Sequence, residues 1–329
     1  MSCHAILEYD ELRLLEELKA DYFSLGSYVM PWQPVDQIRP PLRHNPDSWL
    51  SANAPDRNNI PQEFIDKFDI IIVMHVPEWI INNWDKFKGK RVIWRTIGQS
   101  TPSVEAKLAP FRSKGLEVVR YSKRESNIAG NIGCDALIPF YKDENEFKGW
   151  VGGGNEVITF AQNMEHRGEY CNFQAFKYIT EGIPAKVYGP KNEQSGELNG
   201  GYLTYDGMKQ KMRDGKVYVY TGTQPASYTL NFIEAWMTGI PIVAVGPKYG
   251  NSLNIAGDLY QIPDLIANAV NGFWSDDLNE CRKYVRFLLN DRKSAERIGM
   301  MGRFAAIQMF GMEKIKELWR SYLQIKTKV

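Results

Sequence analysis

The sequence predicts an α/β protein built from two doubly wound parallel-sheet domains, and three observations carry this prediction. Phe68–His75 is a near-continuous apolar run, typical of a strand buried on both faces of a parallel sheet. Strands of this kind alternate with helical segments along the chain, which favours parallel βαβ units. Lys142–Asn155 is charged and then glycine-rich, which is typical of a linker between domains. The chain of 329 residues is long enough for two domains of ordinary size.

The first half of the chain contains the predicted strands of one sheet. Before Phe68 we expect a strand at Cys3–Leu7, an amphipathic helix at Tyr9–Lys19 and a second strand at Tyr22–Gly26. After His75 the predicted elements are the strand Arg91–Arg95, the helix Val104–Lys114 and the strands Gly115–Tyr121 and Leu137–Tyr141. The four apolar runs from Phe68 onward account for a small parallel sheet.

The alternation of strands and helices restarts after the predicted linker. The predicted elements are the strand Glu156–Phe160, the helix Asn172–Glu181, the strand Ala185–Tyr188, the helix Tyr205–Arg213, the strand Val217–Tyr220, the helix Leu230–Thr238, the strand Ile242–Val245 and three helices of about Asp277–Asn290, Lys293–Phe310 and Met312–Ile325. Thr229 is a candidate N-cap and Gly239 a candidate C-cap of the helix at Leu230–Thr238. The loop before that helix offers backbone N–H groups and the positive end of a helix dipole, which together form an anion site.

Composition excludes several classes of protein. The formal net charge is +1, so no global attraction to nucleic acid or anionic membrane is expected. We find no apolar run of about 20 residues and no signal-peptide pattern at the start, so we expect no stable membrane insertion and a cytoplasmic location. The four cysteines lack the spacing of zinc ligands and predict a reduced setting; they are Cys3, Cys134, Cys171 and Cys281.

One run of residues resembles a known family. Glu234–Ala244 reads EAWMTGIPIVA and resembles the nucleotide-sugar site of the retaining glycosyltransferases of family four. That family's motif has a Glu, seven residues, a second Glu, then small or apolar residues, a Gly, a Pro and a Val-rich strand. Glu234 matches the second Glu, whereas the first falls on Ala226. The resemblance extends from Glu156 to about Leu323 and is much weaker before residue 150.

The resemblance implies a GT-B fold, in which two Rossmann-like domains face each other across a cleft and the last helix crosses back. It divides this chain into an acceptor-binding domain at residues 1–150, a nucleotide-sugar-binding domain at residues 151–310 and a C-terminal helix at residues 311–329 that packs on the first domain. It also implies that no metal or other cofactor is needed, with a nucleoside-diphosphate sugar of the UDP-glucose type as co-substrate.

The resemblance places the donor site on two loops and one helix. The family's two diphosphate-binding cations fall on Gln162, which carries no charge, and on Arg167, whose guanidinium can bind phosphate. Glu234 would accept hydrogen bonds from the ribose, and Gln224 is the nearest polar candidate for the sugar contact that Ala226 cannot make. The implied donor residues are Gln162, Arg167, Gly168, Gln224, Ser227, Tyr228, Thr229, Leu230 and Glu234.

The acceptor side is predicted from strand ends in the first domain. His75, Arg95 and Lys123 each end or follow a predicted strand, and the carboxyl ends of parallel strands meet at one edge of a sheet. A lone His is more often structural, and charged residues usually lie on solvated faces. Several relatives carry a His at the position of His75, so His75, Glu234 and Arg167 are the candidate catalytic residues.

The predicted function is therefore a glycosyltransferase that moves a hexose from a nucleoside-diphosphate sugar to a hydroxyl acceptor with retention and without a metal. The acceptor is open between a sugar, a lipid and modified DNA, and the oligomeric state is not predicted. Asp85–Glu125 holds eleven basic and four acidic residues, an excess of seven positive charges. This excess supports one alternative, a DNA-base glucosyltransferase acting on hydroxymethylated pyrimidines, as some phage enzymes do. Ala226 and Gln162 support another, a catalytically inactive nucleotide-sugar-binding module.

Overall fold

The structure, a computed structural model, describes residues 5–25, 48–98 and 100–324, and these fall into two units. The first unit comprises the described residues up to Tyr141 together with those from Glu313 onward, and the second comprises Lys142–Met312. Each unit contains one sheet whose described strand pairs are all parallel, which confirms the predicted α/β class with two parallel sheets.

The first unit contains a four-stranded sheet in the order β1-β2-β3-β4. Its elements are α1 Ala5–Glu17, α2 Ser48–Ala52, α3 Gln62–Ile65, β1 Ile70–Met74, α4 Glu78–Asn83, β2 Arg91–Arg95, α5 Pro102–Arg112, β3 Glu117–Arg120, β4 Ala136–Leu137 and α14 Met312–Leu323, of which Met312 lies in the second unit. In the register, Ile70 lies opposite Arg91 and Ile93 opposite Glu117. The apolar core of this unit forms around Val73, Trp79 and other buried residues of β1, α4 and β2.

The prediction for the start of the chain was wrong. Residues 5–7 belong to α1 rather than to a strand, and residues 22–25 form no strand, while Cys3 and Gly26 lie outside the described residues. Leu7, Leu14 and Leu18 are buried, and their spacing carries one helical face through the whole segment. A short apolar run such as Cys3–Leu7 fits either period, and here the longer helical pattern prevails.

The predicted strand Leu137–Tyr141 is also largely wrong, because the observed strand β4 ends at Leu137. The carbonyls of Ile138 and Pro139 accept hydrogen bonds from the Arg95 guanidinium, at 2.6 and 3.2 Å. Pro139 has no N–H to donate to a ladder. The two carbonyls are thus satisfied by a side chain, while Ile138 N still donates to Arg120 O of β3 at 2.8 Å.

The second unit contains a six-stranded sheet in the order β10-β9-β8-β5-β6-β7. Its elements are β5 Val157–Phe160, α6 Met164–Arg167, α7 Phe173–Thr180, β6 Ala185–Tyr188, β7 Asn199–Gly201, α8 Tyr205–Asp214, β8 Val217–Tyr220, α9 Leu230–Thr238, β9 Ile242–Val245, α10 Pro247–Gly250, α11 Ile262–Leu265, β10 Phe273–Ser275, α12 Leu278–Asn290 and α13 Arg292–Phe310. The strands and long helices predicted for this half are confirmed to within one or two residues. Gly239 ends α9 in the left-handed conformation at φ 91°, as predicted.

The predicted linker is built into the second unit. Trp150 donates its backbone N–H to Thr238 O and its indole N–H to Gly215 O, at 3.2 and 2.6 Å. Gly154 donates to Asp214 O at 2.8 Å, and a side chain on Gly154 would approach that oxygen to 2.9 Å. The glycines of this stretch therefore allow close backbone packing here. Within the described residues, no helix is long and apolar enough to cross a membrane.

Candidate functional site

The second sheet has a topological switch point between β5 and β8. The chain enters at β5, builds outward through β6 and β7, and then returns to place β8 on the other side of β5. Val157 of β5 pairs with Val217 of β8 in parallel register, so the two strands end at the same edge of the sheet. Loops that leave such a pair of strands diverge, and the crevice between them is the usual ligand site of an open α/β sheet.

The predicted donor residues are distributed over the two loops at this switch point. Gln162, Arg167 and Gly168 lie in the segment that follows β5. Residues 221–229 follow β8 and lead into Leu230, the first residue of α9. The structure therefore brings both groups of predicted residues to the ends of neighbouring strands.

The first turn of α9 presents backbone N–H groups at this edge. The first hydrogen bond of the helix runs from Ile233 N to Thr229 O at 3.4 Å, which leaves the preceding amides without partners inside the helix. Thr229 occupies the N-cap position, but its side chain makes no capping hydrogen bond to the helix. Its hydroxyl instead contacts the Asn231 side chain and the Tyr220 hydroxyl. The N-cap side chain thus leaves these first-turn N–H groups unsatisfied, and the anion site predicted from them stays a prediction.

Asn231 lies in the first turn of α9, and no sequence pattern identified it as a candidate site residue. Its Nδ2 donates to Phe160 O, the last carbonyl of β5, at 2.5 Å. This bond ties the end of β5 to the first turn of the helix that follows β8. Thr229, Leu230 and Asn231 are all partly exposed, and so this turn faces the open edge of the sheet.

Arg167 is positioned by its local backbone. It ends the short helix α6 by donating its N–H to Asn163 O at 3.0 Å, and Gly168 then turns the chain at φ 49°. The guanidinium is half-buried and makes no hydrogen bond or ion pair with any residue that the structure describes. Burial raises the pKa of the nearby Cys171 thiol, while the charge of Arg167 acts in the opposite direction. Arg167 is therefore a cation beside the switch point that no carboxylate neutralises within the described chain.

Gln224 does not fit its predicted role as a sugar contact, because its side-chain amide is used inside the unit. Its Nε2 lies within hydrogen-bond distance of Glu169 O, Tyr249 O and Ser252 Oγ, at 3.0, 3.2 and 2.8 Å. Its Oε1 accepts from Leu253 N at 2.9 Å. With 5% of its surface exposed, Gln224 fastens the loop after β8 to two neighbouring segments.

Ser227 and Tyr228 also place their side chains in the interior. Ser227 is fully buried, and its carbonyl accepts from Gln261 N at 3.0 Å. The ring of Tyr228 packs against Phe310 with 5.3 Å between centroids. Neither side chain is free to hold a ligand, so any contribution from these residues to phosphate binding comes from their backbone.

Glu234 is buried in α9 and has a partner that the motif did not reveal. Lys142 Nζ lies 2.6 Å from Glu234 Oε1, and the two side chains are 0% and 3% exposed. Replacing Glu234 by a neutral Gln would therefore deprive Lys142 of this counter-ion.

The acceptor-side candidates of the first unit have different environments. His75 follows β1, adopts a left-handed φ of 70° and is partly exposed. Lys123 follows β3 and is exposed. Arg95 is fully buried, pairs with Glu11 at 3.0 Å and lies 5.6 Å from the centroid of the Trp319 ring. The structure therefore contradicts an acceptor-binding role for Arg95, whose donors satisfy the interior.

A buried polar cluster lies at the same edge of the first sheet, and the sequence did not predict it. Glu125 accepts hydrogen bonds from Thr96 Oγ1 and Ser100 Oγ, each at 2.7 Å, and from Tyr121 N at 3.1 Å. Burial raises the pKa of the Glu125 carboxyl, while the charge of Arg120 at 3.9 Å opposes this shift. Glu125 thus fastens the segment after β2 to the end of β3.

The basic excess of Asp85–Glu125 is offset by residues outside that window. Lys107 pairs with Glu78 at 2.7 Å, Arg112 with Asp135 at 2.7 Å, and Arg95 with Glu11. Inside the window, Arg91 pairs with Glu117 and Arg120 with Glu105. Five of the eleven basic residues are therefore neutralised in the folded unit.

The described residues hold no group of three His, Cys, Asp or Glu side chains arranged to bind a metal ion. A cavity of about 270 Å³ lies farther along the same edge of the second sheet, beside Lys248, Asp276 and Asn279. Its polar groups are engaged with each other, since Asp276 accepts from Lys248 N and Asn279 accepts from the Tyr178 hydroxyl.

The fold has solved counterparts, although no protein-family model and no curated protein matches the sequence. HepE of Anabaena, solved in complex with UDP-glucose, is 15% identical with a TM-score of 0.63, over 89% of this chain and 84% of HepE. A sucrose-phosphate synthase of Thermosynechococcus elongatus is 13% identical with a TM-score of 0.60, over 87% and 82%. TarM of S. aureus is 17% identical with a TM-score of 0.57, over 79% of this chain and 57% of TarM. These proteins are GT-B glycosyltransferases, so the predicted fold class is confirmed.

Proposed function

We propose that the chain is a glycosyltransferase that binds a nucleoside-diphosphate sugar at the switch point between β5 and β8. The observation that carries this proposal is that the unpaired Arg167 and the uncapped first turn of α9 lie on the two segments that follow neighbouring parallel strands, β5 and β8. HepE, which has a similar fold, was solved with UDP and with UDP-glucose, and this supports a donor of the UDP-glucose type.

The proposed chemistry needs negative charge to be stabilised on the departing diphosphate. As the bond from the anomeric carbon to the phosphate oxygen breaks, charge develops on the leaving group, and prearranged N–H donors stabilise it. The first-turn amides of α9 and the Arg167 guanidinium can supply this without a metal ion. The acceptor oxygen forms the new bond to the anomeric carbon, and its proton passes to the departing diphosphate. We propose transfer of a hexose with retention, with His75 and Lys123 on the acceptor side.

The geometry bears differently on the two alternatives, a DNA-base glucosyltransferase and an inactive binding module. A DNA-base glucosyltransferase draws its support from the basic excess of seven charges, and three of these charges are paired with acidic residues outside that window. An inactive binding module draws its support from Ala226 and Gln162, and the structure does not alter that argument. The unpaired cation at Arg167 suits a diphosphate and so fits both the enzyme and the inactive module, which differ in whether the donor is consumed.

A panel of nucleotide sugars in a thermal-shift assay tests the proposal. A ligand that binds only the folded state raises stability by about 2.7 kcal/mol at a hundred times its Kd. We expect one nucleoside-diphosphate sugar to raise the melting temperature with increasing concentration and to be hydrolysed slowly without acceptor. Stabilisation without any consumption, with or without acceptors, would indicate the inactive module. No shift with any member of the panel would refute nucleotide-sugar binding.

A further inference from the structure

Lys142 and Glu234 form an ion pair in the interior of the second unit. Lys142 is the first residue of the second unit, and Glu234 is the fifth residue of α9. Both side chains are almost completely buried, and Nζ and Oε1 are 2.6 Å apart. Phe147 lies beneath the ammonium, with 5.5 Å from Nζ to its ring centroid.

The backbone around Lys142 is held in place from α13. Lys142 donates its N–H to Phe310 O at 3.0 Å. Arg303 donates to Glu144 O at 2.8 Å and also to the carbonyls of Phe147 and Met237, and so joins this segment to the end of α9. The ammonium therefore approaches Glu234 from a fixed backbone rather than from a free chain end.

Stability alone does not explain why a buried pair occupies this position. Apolar residues of similar volume often replace such a pair without loss of stability, whereas a single unpaired charge is costly. The pair does fix the geometry of the carboxylate. Lys142 Nζ lies against Oε1 at 2.6 Å, which leaves Oε2 as the oxygen that the lysine does not contact. Because Glu234 is only 3% exposed, a small rotation of its side chain would decide whether a ligand can reach Oε2.

We propose that Lys142 is a positioning residue that holds the Glu234 carboxylate turned so that Oε2 can accept hydrogen bonds from the donor ribose. This inference rests on the proposed function and adds a residue that the family motif does not contain. Lys142 itself makes no contact with the donor and acts through the carboxylate.

Three variants separate positioning from a purely structural role: Lys142→Met, Glu234→Gln and the double variant. Each single variant leaves one buried polar group without its ion-pair partner, so each should lower the melting temperature, and the double variant should recover most of it. Affinity for UDP-glucose should fall about tenfold or more in all three, because the charged hydrogen bond to the ribose is lost or misdirected. Lys209→Met removes another paired lysine of this unit, which contacts Glu146 and Asp206, and should keep the parent affinity.

Two results would overturn the inference and leave the proposed function standing. One is an unchanged Kd for UDP-glucose in a folded Lys142→Met variant. The other is recovery of both stability and affinity in the double variant, which would make the pair structural. If the parent and Lys209→Met bind no nucleotide sugar at all, the proposed function fails and this inference fails with it.

Discussion

At the scale of single residues, the motif located the site but not the partners of its side chains. Glu234 was predicted as a ribose ligand from its position in a run of eleven residues, and the lysine that neutralises it lies 92 positions earlier. Arg95 was predicted to face an acceptor, whereas Glu11 of α1 holds it in the interior. A partner distant in sequence determines whether a charged side chain binds a ligand or stabilises the fold, and one sequence does not reveal that partner.

A Gln224→Ala variant tests directly whether the Gln224 side chain stabilises the fold rather than binding a sugar. Replacement by Ala removes the acceptor of Leu253 N and a donor shared by three oxygens, so the free energy of unfolding should fall by roughly 1–3 kcal/mol. Urea denaturation measures this loss. Gln210→Ala is the control, because Gln210 lies on an exposed part of α8 and its change should be about 0.5 kcal/mol or less. A stable Gln224→Ala variant that loses only sugar selectivity would restore the original prediction.

At the scale of elements, the sequence predicts the bounds of helix α9 well, but it does not predict how the helix packs. The apolar spacing predicted Leu230–Thr238, and Gly239 predicted the end of the helix. The close approach of α13 was not predictable, because it depends on two glycines that a periodic pattern does not distinguish. A side chain on Gly299 would come within 2.1 Å of Gly239 O, and one on Gly302 within 2.6 Å of the Trp236 indole nitrogen.

Gly299→Ala should therefore disturb the contact between α9 and α13. The clash is with backbone, which has little freedom to move, so we expect a loss of about 3 kcal/mol or more in unfolding free energy. Gly153→Ala is a suitable control, since its added methyl group meets no atom within 4 Å. Equal stability of the two variants, measured by chemical denaturation, would contradict the helix contact described here.

Helix α14 is held against the first sheet by contacts among Arg91, Glu117 and Tyr322. Arg91 binds Glu117 through two nitrogens, at 2.6 and 2.9 Å, and also donates to Tyr322 O at 3.0 Å. The Tyr322 hydroxyl donates to the same carboxylate. Hydrogen bonding from Arg91 lowers the pKa of Glu117 below its ordinary value of 4.5.

This arrangement predicts a dependence of stability on acid. Because the folded pKa of Glu117 is depressed, its stabilisation is complete above the unfolded value and is lost as the pH falls through the folded value. Between about pH 5 and pH 3, Glu117→Gln should lose less stability than the parent when thermal unfolding is followed. Glu296→Gln alters an exposed helix pair and should follow the parent. Parallel curves for Glu117→Gln and the parent would refute this role.

At the scale of the whole molecule, periodicity predicted most strands and helices of the second unit and the parallel class of both sheets. It failed at the start of the chain, where short apolar runs fit either period, and at Leu137–Tyr141, where a side chain satisfies the backbone. Counting charges in Asp85–Glu125 overstated the basic surface, because Glu11, Glu78 and Asp135 lie outside that window. The order of the strands, and with it the switch point, was not predicted, because no local pattern specifies which strands become neighbours.

The measurement that most directly tests a diphosphate site at this switch point compares UDP with uridine in calorimetric titrations of the parent and of Arg167→Ala. Arg167 is an unpaired cation in the segment that follows β5, and a charged hydrogen bond is worth roughly 1.5–3 kcal/mol. We expect Arg167→Ala to bind UDP about tenfold or more weakly and uridine almost as the parent does. Arg286→Ala, on an exposed face of α12, is the matched control and should bind both as the parent does. Equal UDP affinity in Arg167→Ala and the parent would contradict a diphosphate site at the ends of β5 and β8.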